Sequence, residues 1–141
     1  MKKVYVSLIA DLLHTGHIGV LQQAKKYGEV TVGLLTSSAA NELDESVYLK
    51  YKQRLDVVEN LSMVSEVIEQ KTASYHENLV NLRPDFVVHG DDWINGPQSK
   101  FRDEVIILLK EWGGELIEVP YNYEISDQNV KNQLMKLGIT T

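Results

Sequence analysis

The chain has 141 residues, one domain's length, and its 43% hydrophobic and 24% charged residues are those of a globular protein and not a disordered one. It contains no cysteine, which excludes a disulfide scaffold, a thiolate metal site and a cysteine nucleophile. Fourteen Lys and Arg against twenty Asp and Glu leave a net charge of −6, so no basic face covers a nucleic-acid backbone, and an anionic ligand would need positive charge concentrated at its site.

At the N-terminus Lys2-Lys3 precedes an apolar stretch, but Asp11 and His14 interrupt it where a signal peptide would run unbroken. Val4 to Ile9 is β-rich and reads as a buried strand. A loop from Ala10 to Gly16 leads into a helix to about Tyr27, with Ile18, Leu21 and Ala24 at helical spacing and Gly28 as its stop. Glu29 to Leu35 is a second strand, apolar on both faces. Thr36 to Ser46 is polar without periodicity and reads as a loop, and Tyr51 to about Leu61 as a helix with Leu55, Val58 and Leu61 on one stripe. Then follow a strand Val64 to Glu69, a helix Tyr75 to Leu82, a strand Phe86 to Val88 and a loop Gly90 to Gly96. A helix from Pro97 to Trp112 contains the longest apolar run, Val105 to Leu109, far short of a membrane span. Leu116 to Val119 is the fifth strand, and Ser126 caps a last helix to about Leu137.

Five strands alternating with five helices, with no hairpin signal, predict one domain over residues 1–141. Its fold class is α/β, a five-stranded parallel sheet with helices on both faces. Such sheets bind ligands beyond the carboxyl ends of their strands, which selects the loops after strands one, four and five.

The first of these loops carries His14-Thr15-Gly16-His17. Two imidazoles three residues apart at a helix start lie on one side, where backbone N–H groups and the helix dipole attract anions. Gly16 between them lets a phosphate approach the backbone. The pattern suits hydrogen-bond donation to a phosphoryl group, and also two capping histidines or a metal pair. A metal pair would need further ligands, and His76 and His89 lie elsewhere in the chain. After strand four, Gly90-Asp91-Asp92-Trp93 offers two carboxylates for Mg²⁺, a ribose or a base amine, or forms a solvated turn. Gln98, Lys100 and Arg102 open the next helix, where cations oppose the dipole unless an anionic group justifies them.

Together these segments resemble the H-x-G-H nucleotidyltransferase superfamily and, within it, the cytidylyltransferases, with a Rossmann-like fold. The resemblance runs from Lys3 to Gly138 and includes Tyr51-x-x-Arg54 and the strand leading to Gly90-Asp91-Asp92-Trp93. Val87-Val88-His89-Gly90-Asp91-Asp92-Trp93 and Lys110 to Tyr121 are most similar to phosphonate cytidylyltransferases associated with phosphoenolpyruvate mutase. The resemblance implies catalytic roles for His14 and His17. It implies nucleotide binding by Ala10, Asp11, Gly16, Arg54, Gly90, Asp91, Asp92 and Ser126, and substrate binding by Trp93, Gln98, Arg102 and Tyr121. It also implies CTP as nucleotide, Mg²⁺ as cofactor and a homodimer; the charge balance, the short apolar runs and the interrupted N-terminal stretch read as no nucleic-acid or membrane partner and a cytoplasmic location.

Two family features are absent. Asp44 and Glu45 stand where relatives carry a lysine that neutralises the triphosphate, so Lys50 or Lys52 is the candidate replacement. After strand five, Glu124, Asp127 and Gln128 replace the glycine and hydroxyls of a phosphate-holding turn, and Ser126 remains. The expected reaction is CMP transfer from CTP to a small phosphonate, favoured as 2-aminoethylphosphonate, with release of pyrophosphate. The alternatives are glycerol 3-phosphate or phosphocholine as acceptor, an adenylyltransferase, or a catalytically impaired nucleotide-binding subunit.

Overall fold

The computed structural model describes residues 1–120; the last helix expected from Ser126, together with Tyr121 and Ser126, lies outside the described residues. Within them the strands are β1 (Lys3–Leu8), β2 (Glu29–Leu35), β3 (Val64–Gln70), β4 (Phe86–Gly90) and β5 (Glu115–Val119). The helices are α1 (Thr15–Lys25), α2 (Ser37–Glu42), α3 (Tyr51–Val58), α4 (His76–Leu82) and α5 (Ser99–Lys110), with a 3-10 turn at Asp91–Trp93. The five strands are all parallel, in the order β3-β2-β1-β4-β5, so the chain reverses its direction of sheet growth between β1 and β4.

Strand periodicity builds a core on each side of the sheet. Val4, Val6 and Leu8 of β1 and Val30, Val32 and Leu34 of β2 pack with Val20, Leu21 and Ala24 of α1 and with Val58 of α3. Tyr5 and Val87 point the other way, into a cluster with Leu79 of α4 and Val105, Leu108 and Leu109 of α5. The sheet is therefore covered on both faces, as its continuous apolar runs require.

Tyr5 is fully buried, and its hydroxyl donates to Gln70 Oε1 at 2.5 Å and accepts from Asn78 Nδ2 at 3.0 Å. It reaches them across Gly33, where a Cβ would stand 1.7 Å from the Tyr5 oxygen; a glycine in the middle of β2 is the space that tyrosine needs.

The segment read as a loop after β2 contains α2. Thr36 caps it, its Oγ1 accepting from the Ala39 N–H at 3.0 Å, and Ala39 and Ala40 are buried. Six residues are too few for a helical period to show. α1 and α3 stop sooner than their apolar spacing suggests, because their last turns tighten: Tyr27 N–H bonds to Ala24 O and Leu61 N–H to Val58 O, three residues back.

Candidate active site

β1 pairs with β2 through six residues, from Lys3 with Glu29 to Leu8 with Leu34. With β4 it pairs only at Val4 with Phe86 and Tyr5 with Val87. Beyond those two pairs the strands part, and a cavity of about 260 Å³ opens between their carboxyl ends, at the topological switch point. Ser7 of β1 and Ile9 just after it, His89 and Gly90 of β4, and His17 of α1 line its mouth; Leu35, Leu43, Tyr75 and Phe101 line its apolar part. Glu45, Asp92 and Gln98 belong to its polar wall, and among the described residues no Lys or Arg lines it.

His14 and His17 cap α1 reciprocally. His14 Nδ1 accepts from Gly16 N–H at 3.0 Å, and His17 Nδ1 accepts from His14 N–H at 3.3 Å. A ring nitrogen that accepts carries no proton, so each neutral imidazole carries its proton on Nε2. The ring centroids lie 4.1 Å apart. The loop thus makes two Nε2–H donors with fixed tautomers at a helix N-terminus, with His17 on the cavity wall. Gly16 lines a second hollow between α1 and the end of β5, with Gly19 and Val119. Ala10, just before this loop, is buried with φ at +56°, a left-handed turn that redirects the chain out of β1.

Asp11 and Arg54, expected at the nucleotide, hold the chain in place. The Asp11 carboxylate accepts from Tyr48 N–H at 2.9 Å and from Leu49 N–H at 2.9 Å. Arg54 has no solvent exposure; it donates to Ile9 O at 2.8 Å, Leu35 O at 2.6 Å and Leu49 O at 3.2 Å. Burial lowers the pKa of its guanidinium, and the Asp11 charge opposes that shift. The two residues tie segment 45–50 to the ends of β1 and β2, and that segment brings Glu45 to the cavity.

The remaining expected residues divide. Gly90, Asp92 and Gln98 line the cavity, while Asp91 is half-buried in the 3-10 turn. Trp93 is buried behind the wall; its Nε1–H donates to Glu118 Oε2 at 2.8 Å. Arg102 grips the same carboxylate with two bonds of 2.9 Å, and this pairing, helped by Trp93, holds the Glu118 carboxyl below the usual glutamate range. Arg102 is therefore matched by a protein carboxylate and does not line the cavity. Lys50 and Lys52 are exposed and do not line it either.

His89, set aside in the sequence as remote from His14 and His17, lines the same cavity as His17. Its place at the carboxyl end of an apolar strand is the signal that finds it. Among the described residues no group of three or more His, Asp or Glu could hold a metal ion, and no helix is long and apolar enough to cross a membrane.

Comparison with known proteins fits this geometry. The cytidylyltransferase-like family model matches residues 9–133. The chain is 30% identical over 139 residues to the glycerol-3-phosphate cytidylyltransferase of Bacillus subtilis (strain 168), covering 97% of this chain and 100% of that one. The glycerol-3-phosphate cytidylyltransferase of Staphylococcus aureus is 33% identical over 117 residues, 81% of this chain and 88% of that one. A lipopolysaccharide core biosynthesis protein from Thermoplasma volcanium GSS1 shares the fold, with a TM-score of 0.74 at 22% identity over 86% of this chain and 98% of that one. These relatives carry no phosphonate enzyme among them, so the expected leaning toward phosphonates gains nothing from them. With its parallel sheet, its open switch point and its paired histidines, the chain belongs to the cytidylyltransferase-like family and is a nucleotidyltransferase.

Proposed function

We propose that the protein transfers CMP from CTP to glycerol 3-phosphate and releases pyrophosphate. The observation that carries the chemistry is the reciprocal cap of His14 and His17, which fixes Nε2–H donors at a helix N-terminus, with His17 on the wall of the cavity at the switch point. The likeness to two glycerol-3-phosphate cytidylyltransferases over most or all of their length supports the acceptor.

A phosphate oxygen of the acceptor attacks the α-phosphorus of CTP in line. The new P–O bond forms as the bond from the α-phosphorus to the bridging oxygen breaks, and pyrophosphate leaves with that electron pair. His14 and His17 donate to the non-bridging oxygens, on which charge accumulates. Mg²⁺ belongs to this proposal as an ion carried by the triphosphate, since it is commonly held by substrate phosphates and retained waters with few protein ligands. When bound, it neutralises charge on the leaving pyrophosphate. A homodimer, implied by resemblance alone, is likewise proposed, and sedimentation tests it.

The test is pyrophosphate release with Mg²⁺ and CTP against glycerol 3-phosphate, 2-aminoethylphosphonate and phosphocholine, with ATP in place of CTP as control. Release is expected with glycerol 3-phosphate and CTP, and a fall of about 10²–10³-fold in kcat for His17→Ala. Release with ATP alone, or with 2-aminoethylphosphonate alone, would overturn the assignment of nucleotide or acceptor.

One observation favours a second reading. Glu45 places a carboxylate on the cavity wall in the register where relatives carry a lysine, and Lys50 and Lys52 do not line that wall. Repulsion of a triphosphate there supports a nucleotide-binding subunit impaired in turnover. CTP binding by calorimetry, with no pyrophosphate released for any acceptor, is the result that would select it.

A further inference from the structure

His89 is held at one edge and on one face. Its Nδ1 lies 2.7 Å from Gly90 O, an atom that only accepts, so Nδ1 carries a proton. One face of the ring stacks on Trp93, with centroids 3.6 Å apart and planes 6° from parallel. Trp93 is in turn fixed by Glu118, and Glu118 by Arg102, so β5 and α5 together hold the imidazole against the cavity. What the ring has left for the cavity is its other face and the edge bearing Nε2. With Nδ1 protonated, the Nε2 of the neutral ring is a hydrogen-bond acceptor.

The surroundings agree in sign. Asp92 Oδ1 lies 3.7 Å from His89 Nδ1, Glu45 shares the cavity wall, and no Lys or Arg lines it among the described residues. Gln70, also on the wall, already donates through its amide nitrogen to Thr72 O at 3.0 Å and accepts from Tyr5. The cavity therefore sets acceptors beside the Nε2–H donor of His17, and a ligand that meets both carries a hydrogen-bond donor as well as an anionic group.

We propose that His89 reads the acceptor substrate, its Nε2 accepting a hydrogen bond from a hydroxyl of a small phosphorylated polyol. The inference rests on the proposed function for the identity of that substrate. Burial pulls the His89 pKa below the ordinary histidine value, against the opposing pull of Gly90 O, Asp92 and Glu118, so the ring is neutral at pH 7. The charged and titratable groups around it are Asp92 on the 3-10 turn, Glu118 on β5 with its partner Arg102 on α5, and His17, Glu45 and Tyr75 on the same cavity.

The test compares wild type with His89→Phe, which keeps the stack on Trp93 and removes the acceptor, and with His89→Gln, whose Oε1 restores one. Melting curves confirm that each is folded, and steady-state constants are measured for glycerol 3-phosphate and CTP. Expected for His89→Phe is a rise of roughly ten- to hundred-fold in KM for glycerol 3-phosphate with KM for CTP within about twofold. His89→Gln should recover part of it. On 3-hydroxypropyl phosphate, which lacks the middle hydroxyl, the loss should be smaller if that hydroxyl is the donor and unchanged if the terminal one is. As pH falls, wild type should lose kcat/KM for the acceptor below the ordinary histidine range, near 6.5, and His89→Phe should lack that limb. His17 is common to both proteins, so the difference between their profiles belongs to His89.

Equal changes in both KM values, or a change in CTP alone, would overturn the proposal. If wild type transfers CMP only to 2-aminoethylphosphonate, the reading of the acceptor fails, and the same split of KM on that substrate, whose ammonium then donates, upholds His89. Calorimetry decides the case without turnover: glycerol 3-phosphate should bind wild type at least tenfold more tightly than His89→Phe, and no binding to wild type would overturn the proposal.

Discussion

The two edges of β1 are built for different purposes. Toward β2 the strand is paired along its whole length, and where the pairing ends Arg54 takes over, bridging Ile9 O at the end of β1 to Leu35 O at the end of β2. Toward β4 the pairing lasts two residues and then gives way to a cavity. One edge is closed by backbone bonds and finished with a buried cation. The other is left open, and its β4 wall is braced by the stack of His89 on Trp93 and the Glu118–Arg102 pair behind it. Backbone groups freed by the parting strands are what an open crevice can offer a ligand, so the edge that contributes less to stability contributes more to chemistry.

If this contrast is right, substitutions on the closed edge cost stability and those on the open edge cost activity. The largest loss of stability is expected for Arg54→Met, which leaves three carbonyls without their donor: about 3–5 kcal/mol by urea unfolding. Gly33→Ala comes next, at about 1–3 kcal/mol, because its methyl group meets the Tyr5 hydroxyl within a buried network that cannot yield freely. Glu118→Gln, on the open edge, should cost about 1 kcal/mol or less, since both partners are partly exposed. It should still raise KM for the acceptor several-fold by loosening Trp93 and His89. A greater loss of stability in Glu118→Gln than in Gly33→Ala would break the contrast.

The same pair gives a pH signature. The folded-state pKa of Glu118 is depressed, so its contribution to stability is present above the unfolded glutamate value, about 4.3, and is lost as pH falls through the lower folded value. Wild type and Glu118→Gln should therefore differ in stability near neutrality and converge in strong acid. Parallel curves would show that the carboxylate's charge contributes nothing.

All five strands and the switch point were legible in the sequence, because buried parallel strands are continuous apolar runs bounded by helical periods. α2 was not: within six residues only the cap at Thr36 marks it. The paired histidines were legible because their neighbours in sequence are also their neighbours in space. Arg54 and Arg102 show the opposite case. Their type announces a wish for anions or carbonyls, but which oxygen each finds is decided by residues 19 and 16 positions away, Leu35 and Glu118. His89 was passed over for the same reason, since its kinship with His17 exists only once β1 and β4 have parted.

The reciprocal cap of α1 has one more consequence, for how this sequence can change over time. The two rings share one turn of backbone: the His17 imidazole takes the main-chain N–H of His14, and the His14 imidazole takes that of Gly16, so both tautomers depend on the same cap. Two groups that work as a unit lose nearly everything when either goes, and the second loss then costs little. A lineage that surrenders one histidine therefore has little left to protect in the other, and the pair should be found in descendants whole or gone altogether.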